Sequence, residues 1–451
     1  MFAAGTSVHI LGIGGAGMSG VARLLVERGC GVSGCDVADS PTLHELETAG
    51  VRVFRGHDVT HVEGADVVLW SPAIAATNAE LTRARERGAR LLSRSELLGE
   101  LASRARVLGL TGTNGKTTAT SMLVCASVAA GRDDARLLGA PVRGVGANGH
   151  WADGDLILEV DESFGSFAHL TPFALGVLNV EADHLDHYGT LSDLEASFRA
   201  LIQRTTGPVV LFDEPGNRRV AEGLGRDVVF VGFDDTPWRV SATKLERDGA
   251  RFDLEGPDEA MTIRLAVTGR HNVANAAVVA VLCRSLGFTR DAVIEGLARF
   301  RGVARRFDRL GTWRGAEVIE DYAHLPGEVR ATIEACVASG YERIGVVFQP
   351  HRYTRTQKLA QDFAGAFAGC ALLVVTDVYG AGEENPSGVT GELVANAVRE
   401  SSPPYRVHYA ATFEDVAALL DADAHDLDAL LLLGAGDVAG IAPLLSGGVV
   451  S

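Results

Sequence analysis

The chain alternates short runs of Val, Ile and Leu with Ala-, Leu- and Arg-rich segments of helical period. In the first third, the runs at 8–11, 51–54 and 67–70 have the length and composition of strands that are buried on both faces. Buried strands that alternate with amphipathic helices favour a parallel sheet joined by crossover helices. The pattern therefore predicts an α/β unit at the start of the chain.

The same alternation begins again twice, which predicts three α/β units. Apolar runs indicate the strands of the second unit at 107–110, 156–160 and 174–178, and those of the third at 344–348, 372–376 and 430–433. Ahead of a helix at about 272–286, a small antiparallel insert is predicted from the segments 251–254 and 262–266. The predicted domains are residues 1–102, 103–303 and 304–451.

The charge and the cysteines exclude several classes of protein. With 41 basic and 58 acidic residues the net charge is −17, which argues against a nucleic-acid partner because phosphate binding needs a basic surface. Six dispersed cysteines without a CxxC pair or a zinc-spaced histidine cluster favour buried free thiols. No basic segment precedes the first apolar run, and no run approaches the roughly 18 residues of a membrane span. A cytoplasmic enzyme without a membrane partner, monomeric or homodimeric, is expected.

A glycine-rich block follows the first predicted strand and opens a helix. Its small residues are Gly12, Gly14, Gly15, Ala16 and Gly17. Asp36 stands nineteen residues after Gly17, at the end of the next strand-like run. Small residues allow a pyrophosphate to approach the backbone, and the carboxylate binds a ribose hydroxyl. The block predicts a Rossmann-like nucleotide site; NAD(P) and a UDP-sugar both fit it, and a tight turn without a ligand is the alternative.

The second domain opens with a phosphate-loop pattern between a strand and a helix predicted at 116–130. Its members are Gly112, Thr113, Asn114, Gly115, Lys116, Thr117 and Thr118. Backbone N–H groups of such a loop surround phosphates, the lysine adds a charge, and a threonine hydroxyl holds Mg²⁺. Leu110 replaces the first glycine of the strict pattern, yet Lys116 is one of only three lysines in the chain. ATP binding with Mg²⁺ is predicted, and a glycine turn without function is the alternative.

Acidic and imidazole side chains follow the next two predicted strands. Glu159, Asp161 and Glu162 end the first of these strands, and His184 lies within residues 179–186 after the second. Because the carboxyl ends of parallel strands meet at one edge of the sheet, we expect these groups to converge on the Mg²⁺ of the loop. A solvated cap is the alternative for any single acidic residue.

Further candidates lie after residue 271 and in the third domain. Asn272 is either a helix cap or an amide that contacts an adenine edge. Three segments of the third domain bring cationic and acidic groups to strand or loop ends, namely 305–307, 321–324 and 351–355. Arginine binds carboxylates and phosphates through paired hydrogen bonds. For each of these groups a surface salt bridge is the alternative.

Taken together, these blocks resemble the muramyl ligases of peptidoglycan synthesis, in particular their alanine-adding branch, over essentially the whole chain. The resemblance rests on residues 12–20, 112–118, 161–163, 183–186, 271–275, 305–307, 321–324, 348–355 and 377–383. The blocks at 12–20 and 348–355 are specific to that branch, whereas the phosphate loop alone indicates only the superfamily. The resemblance implies an N-terminal Rossmann-like UDP-sugar domain, a central ATPase domain and a C-terminal Rossmann-like amino-acid domain.

The resemblance also implies roles for individual residues. Lys116 would bind the β- and γ-phosphates, and the Mg²⁺ ligands would be Thr117, Glu162 and His184. Adenine would face Asn272 and Asn275, and ATP would also contact Arg306 and Asp321. The muramyl carboxylate and the incoming alanine would be held by His324, Arg352 and Arg355. The UDP-sugar would lie on the glycine block, to which the resemblance adds Met18, Ser19 and Ser71 beside Asp36.

The implied reaction joins L-alanine to the carboxylate of UDP-N-acetylmuramate through an acyl phosphate, with ATP and Mg²⁺. The sequence departs from the branch at Asn114, which usually is His, at Phe164, which usually is Asp, and at Leu325-Pro326-Gly327, which usually is His-Pro-Thr. Arg199 lies near the position where several relatives carry a carbamylated lysine. An amide ligase for another nucleotide-sugar acid or amino acid therefore stays open. An NAD(P)-dependent oxidoreductase and a catalytically silent nucleotide-binding module are alternatives from other classes.

Overall fold

The computed structural model describes residues 2–37, 40–71, 74–183, 185–385, 387–424 and 426–449. Its strands form three sheets. Short 3₁₀ helices occupy Val59–Val62, Ser163–His169, Ala360–Gly365 and Val438–Leu444. None of the helices in these described ranges is long and apolar enough to cross a membrane.

The first sheet is parallel and carries four helices. Its strands are β1 (Ser7–Leu11), β2 (Gly31–Asp36), β3 (Arg52–Arg55), β4 (Val67–Trp70) and β5 (Arg90–Ser93). Its helices are α1 (Ala16–Glu27), α2 (Pro41–Thr48), α3 (Ala79–Glu86) and α4 (Arg94–Ala102). The order β3-β2-β1-β4-β5 reverses at β1, and ligands of such sheets bind where the strand order reverses. The glycine block follows β1 directly and so lies at this point.

The second sheet has ten strands. They are β6 (Val107–Thr111), β7 (Ala135–Leu137), β8 (Gly149–His150), β9 (Leu156–Glu159), β10 (Ala174–Val177), β11 (Val209–Phe212), β12 (Val229–Gly232), β13 (Trp238–Glu246), β14 (Gly249–Glu255) and β15 (Ala260–Leu265). Its helices are α5 (Lys116–Ala129), α6 (Leu185–Tyr188), α7 (Leu191–Arg204), α8 (Pro215–Ala221), α9 (Arg270–Ser285) and α10 (Arg290–Arg299). The order is β15-β14-β13-β12-β11-β10-β6-β9-β7-β8.

Two features of this sheet matter for the site. Strand β6 is parallel to β10 on one side and to β9 on the other, so the phosphate loop and both acidic segments leave the same edge of the sheet. Strands β14 and β15 are antiparallel, with Phe252 opposite Ile263. The predicted antiparallel insert is therefore confirmed.

The third sheet is parallel except for one edge strand. Its strands are β16 (Asp308–Trp313), β17 (Ala316–Asp321), β18 (Ile344–Phe348), β19 (Leu372–Val375), β20 (Arg406–Tyr409) and β21 (Ala429–Leu433), in the order β16-β17-β21-β18-β19-β20. Strand β16 runs antiparallel to β17. Its helices are α11 (Pro326–Ala338), α12 (Tyr353–Leu359), α13 (Glu392–Glu400) and α14 (Phe413–Asp423). All five residues of β21 are fully buried, as expected for a central parallel strand.

The chain forms two compact units. The first contains Met1–Lys244, Ala250–Val267 and His271–Arg301, and the second contains Leu245–Gly249, Thr268–Arg270 and Gly302–Ser451. The first unit contains the first sheet and nearly all of the second, so the boundary near residue 103 stays a prediction. All six cysteines are buried and free, as predicted.

Candidate functional site

The phosphate loop connects β6 to α5, and its conformation requires glycine at two positions. Gly115 has a φ of 83°, and a Cβ added there would lie 2.8 Å from the side-chain amide of Asn275. Gly112 has a φ of 142°, and a Cβ there would lie 3.0 Å from the backbone of Asn179. Residues with a Cβ rarely adopt such angles. The sequence pattern thus corresponds to a loop that is packed against α9 and the end of β10.

Lys116 is the first residue of α5 and lies inside this loop. Its Nζ donates hydrogen bonds to the carbonyl oxygens of Gly112 at 2.9 Å and Thr113 at 3.1 Å, and to Oε1 of Glu162 at 2.8 Å. The lysine side chain is 14% exposed and that of Glu162 is 1% exposed. The ammonium is therefore held at the centre of the loop, where a phosphate would be surrounded by backbone N–H groups.

Burial changes the protonation of this pair. It raises the pKa of Glu162 to about 7, although the charge of Lys116 acts in the opposite direction. Burial alone would lower the pKa of Lys116, but the carboxylates of Glu162 and Asp161 raise it. Lys116 is consequently charged at neutral pH, and Glu162 is the partner whose charge changes near neutrality.

A second carboxylate, Glu159 at the end of β9, lies beside the threonine of the loop. The Thr117 hydroxyl donates to Oε1 of Glu159 at 2.9 Å, and the Gly139 N–H donates to Oε2 at 2.7 Å. A hydroxyl and a carboxylate are oxygen ligands of the kind that Mg²⁺ prefers, so this pair fits the ion. The predicted ligand Glu162 contacts Lys116 instead, and the predicted ligand His184 lies outside the described residues, as does the side chain of Phe164.

Asn179 and Glu181, which follow β10, fix the course of the loop. The Asn114 N–H donates to Oδ1 of Asn179 at 2.7 Å, and the Asn179 side chain donates back to the Asn114 carbonyl at 3.1 Å. The Thr113 hydroxyl accepts from the Glu181 N–H at 2.9 Å. Sequence reasoning did not name Asn179 as a site residue. Its position directly after a strand that neighbours the phosphate-loop strand is the signal that would have found it.

In the first sheet, Asp36 is bonded to the glycine block. Its Oδ2 accepts from the Gly14 N–H at 3.0 Å, and Gly12 has a φ of 73° with Ser71 beside it. Among the described residues, no side chain caps the start of α1 at Gly15, which leaves this helix end suited to an anion. Within α1 itself, Met18 and Ser19 are each 3% exposed.

Arg94 joins the glycine block to the central domain, and no sequence motif had indicated it. A Cβ added at Gly17 would lie 2.7 Å from Nε of Arg94. Burial raises the pKa of Asp161, but Lys116, Ser163 and Arg94 together lower it. The guanidinium therefore acts on a carboxylate close to the phosphate loop while it lies over the start of α1.

In the third sheet, Asp321 connects the loop before β16 to the turn after β17. Its Oδ2 accepts from the Phe307 N–H at 2.7 Å, and its Oδ1 accepts from the Ala323 N–H at 2.9 Å. The guanidinium of Arg306 lies 4.9 Å from the ring centroid of Tyr322. Both carboxylate oxygens of Asp321 are therefore engaged within their own unit.

Two predicted residues of the third domain, His324 and Arg355, both contact His351. His351 was not itself predicted as a site residue, although it lies within the block at 351–355. The rings of His324 and His351 meet edge to face with centroids 5.7 Å apart, and His351 stacks on Tyr379. Nη1 of Arg355 lies 3.1 Å from Nδ1 of His351. Burial lowers the pKa of His351 to about 4, so its neutral ring accepts this bond. Arg352 approaches Glu383 at 4.0 Å.

Arg199 has a structural contact. It donates to the carbonyl oxygens of Arg219 at 2.7 Å and Val220 at 3.2 Å, which ties α7 to α8. Arginine stays protonated at neutral pH and accepts no carbamate there.

A phosphate loop at the carboxyl edge of one α/β sheet, in a chain with an α/β sheet before it and another after it in the sequence, is typical of ATP-dependent ligases that form an amide bond. Residues 7–106 match the family described as "Mur ligase family, catalytic domain", residues 156–283 match "Mur ligase middle domain", and residues 305–436 match "Mur ligase, glutamate ligase domain". The chain belongs to the Mur ligase family. This membership confirms the predicted ligase class and does not support the oxidoreductase alternative.

Individual relatives match almost the whole chain. The UDP-N-acetylmuramate–L-alanine ligase of Kineococcus radiotolerans is 42% identical, covering 97% of this chain and 94% of that protein. The ligase of the same name from Thermobifida fusca is 39% identical, covering 97% and 95%. The crystal structure of UDP-N-acetylmuramate-alanine ligase MurC from Thermotoga maritima superposes with a TM-score of 0.84 at 27% identity, covering 96% and 97% of the two chains.

Proposed function

We propose that this protein joins L-alanine to the carboxylate of UDP-N-acetylmuramate, with ATP converted to ADP and phosphate, in peptidoglycan precursor synthesis. The observation that carries the proposal is Lys116, held 2.8 Å from a buried carboxylate in a phosphate loop, in a chain that is 39–42% identical to two ligases of that name. In this proposal the substrates are small molecules, and the protein is a monomer or a homodimer.

The chemistry requires activation of a poor electrophile. A carboxylate oxygen attacks the γ-phosphorus of ATP, ADP leaves, and the acyl phosphate formed is attacked by the amine of alanine with release of phosphate. The protein aligns the reactants and balances the charge that develops on the transferred phosphoryl group. Lys116 serves the β- and γ-phosphates in this proposal, together with the backbone N–H groups of residues 112–118.

For the metal we propose Thr117 and Glu159 as ligands, because their oxygens already lie 2.9 Å apart. Bound Mg²⁺ would supply charge neutralisation to the phosphates. Glu162 and His184 stay predictions as ligands, since Glu162 is bonded to Lys116 and His184 lies outside the described residues. Thr118, Asn272 and Asn275 complete the proposed ATP site.

For the UDP-sugar we propose the glycine block with Asp36 and Ser71. The start of α1 would bind the pyrophosphate, and Asp36, which now accepts from Gly14 at 3.0 Å, would exchange that bond for a ribose hydroxyl. Met18 and Ser19 would support the block from within the helix.

For the acid and the amino acid we propose His324, Arg352 and Arg355, and we add His351 because its ring links two of them. Arg306 and Asp321 are proposed to serve ATP. Paired hydrogen bonds from a guanidinium suit both carboxylates of the reaction.

A second candidate is the same ligation with a different amino acid. Leu325 and Gly327 stand where the alanine-adding branch usually carries polar residues, and the backbone N–H groups of His324 and Leu325 both donate to Glu328. Leu325 therefore places an apolar residue directly after His324 in the chain, where the branch usually has an imidazole.

The test is phosphate release with ATP, Mg²⁺ and UDP-N-acetylmuramate across a panel of amino acids, with product masses determined. Phosphate release that depends on L-alanine, with a product heavier by one alanyl residue, is expected. Release with another amino acid alone would establish the second candidate. Absence of release with every amino acid, by protein that binds ATP normally, would overturn both.

A further inference from the structure

A cluster of histidine, cysteine and glutamate side chains is buried in the first sheet, and no residue of it has a role in the proposed reaction. His9 of β1, Cys35 of β2 and Glu80 of α3 each offer one ligand atom, and these three atoms lie within 4.8 Å of one another. They come from three separate elements, so the spacing of residues in the sequence does not reveal them.

Two distances from Cys35, one to Glu80 of the cluster and one to the neighbouring His57, are close to those of a metal site. Sγ of Cys35 lies 3.3 Å from Oε2 of Glu80 and 3.4 Å from Nδ1 of His57. Ligand atoms that share a tetrahedral zinc ion lie about 3.3 to 3.8 Å apart, given bond lengths of about 2.0 to 2.3 Å. Nδ1 of His57 and Oε2 of Glu80 are 2.6 Å apart, a hydrogen bond that would have to open by roughly 1 Å.

His9 supplies the observation that points most directly to a ligand. Its side chain is fully buried, and the hydroxyl of Ser33 lies 2.9 Å from Nδ1 and fixes the ring. Nε2 has no hydrogen-bond partner among the described residues. An imidazole with one nitrogen held by a neighbour and the other unsatisfied has the arrangement in which histidine binds metals.

Glu80 is oriented from outside the cluster. Its Oε1 is 2.8 Å from Nδ1 of His61, and its backbone N–H donates to the Asn78 cap of α3 at 2.8 Å. The side chains of His57 and His61 are 27% and 12% exposed. They give the buried groups an edge that solvent, and hence an ion, can reach.

We propose that His9, Cys35 and Glu80, with His57 as the fourth ligand, bind a divalent transition metal of the zinc class, which links β1, β2 and α3. Two nitrogens, a thiolate and a carboxylate suit such an ion, whereas Mg²⁺ and Ca²⁺ prefer oxygen ligands. The Cys35 thiol releases its proton when the ion binds. His61 acts as a positioning residue through Glu80.

The test uses the untagged full-length protein, freed of metal with a chelator and titrated with Co²⁺ in excess Mg²⁺. A thiolate-to-cobalt charge-transfer band that saturates at one Co²⁺ per chain is expected, together with a higher unfolding temperature when Zn²⁺ is added. The excess Mg²⁺ occupies the phosphate-loop site. The described residues that form that site include no cysteine, so Co²⁺ bound there would give no thiolate band. The band therefore reports the cluster alone.

Cys35→Ser should abolish the band, while Cys30→Ser is the matched control, because Cys30 is buried in the same domain outside the cluster. His61→Phe should keep the band and weaken Co²⁺ binding about 10- to 100-fold. A wild-type protein without the band, or a Cys35→Ser protein that retains it, would overturn the proposal. If Cys35→Ser does not fold, the proposal is tested by the wild-type titration and by His9→Gln. The His9→Gln protein keeps the thiolate, so it should show the band but bind Co²⁺ more weakly, and unchanged binding would overturn the proposal.

Discussion

Nζ of Lys116 lies 2.8 Å from Oε1 of Glu162, and the carboxylate is almost fully buried. A buried charge pair is costly to separate, because removing one partner leaves the other without compensation. The lysine that we propose to act on the phosphates is thereby also part of the folding energetics of the central domain.

Lys116→Met should therefore affect both activity and stability. Turnover should fall about 100- to 1000-fold through loss of charge stabilisation of the transferred phosphoryl group. At pH 8, where Glu162 of the wild type is ionised, the free energy of unfolding should fall by up to about 3 kcal/mol, because Glu162 is left buried without its partner. Urea denaturation and phosphate release measure the two effects.

The double variant Lys116→Met/Glu162→Gln separates these contributions. It should recover most of the lost stability, since no unpaired charge remains, but none of the activity. Recovery of turnover in the double variant would show that Lys116 does not act on the phosphates.

The raised pKa of Glu162 gives a stability difference that depends on pH. Between the ordinary value of 4.5 and about 7, the folded protein keeps this proton while the unfolded chain has lost it. The contribution of Glu162 to stability is therefore present at low pH and declines as pH rises through this window, by roughly 3 kcal/mol at most. The difference in unfolding free energy between wild type and Glu162→Gln should shift in this direction between pH 5 and pH 8. A difference that does not change with pH contradicts the assignment.

Glu159 and Glu162 should differ in their effect on the metal. Because Glu159 is bonded to Thr117, Glu159→Gln should raise the Mg²⁺ concentration for half-maximal turnover by at least about tenfold. Glu162→Gln should lower turnover with little change in that concentration. The reverse result would assign the metal to Glu162, as the family resemblance implies. Mg²⁺ titrations at saturating ATP distinguish the two.

Gly115→Ala should have two effects: it should lower stability because of its left-handed backbone angle, and it should also weaken ATP binding. Its Cβ would approach the Asn275 amide at 2.8 Å, whereas a Cβ at Gly131, which has a φ of 71°, meets nothing within 4 Å. Both substitutions should cost about 1–2 kcal/mol of stability for the left-handed conformation. Only Gly115→Ala should weaken ATP affinity, measured by calorimetry. Equal affinities in the two variants would mean that contact with Asn275 does not shape the loop.

Much of the fold could be predicted because its signals are local. Strands β4 and β18 have the predicted bounds, and α5 begins at the predicted Lys116. Strand β14 extends beyond the predicted segment to Gly249–Glu255, because pairing with β15 stabilises residues whose own pattern is weak. A hydrophobic run carries information about burial, but the length of a ladder depends on its partner.

The sequence by itself determined the phosphate loop and the glycine block, since a few adjacent residues set the backbone angles and the helix start that make them. Only the tertiary structure decided that Glu159 faces Thr117 and Glu162 faces Lys116. The two carboxylates lie at and just after the end of the same strand, so their positions depend on the path of the chain beyond it. The tertiary structure also decided that His9, Cys35 and Glu80 meet. Cys35 and Glu80 are 45 residues apart, and only the packing of α3 on the sheet brings them within reach.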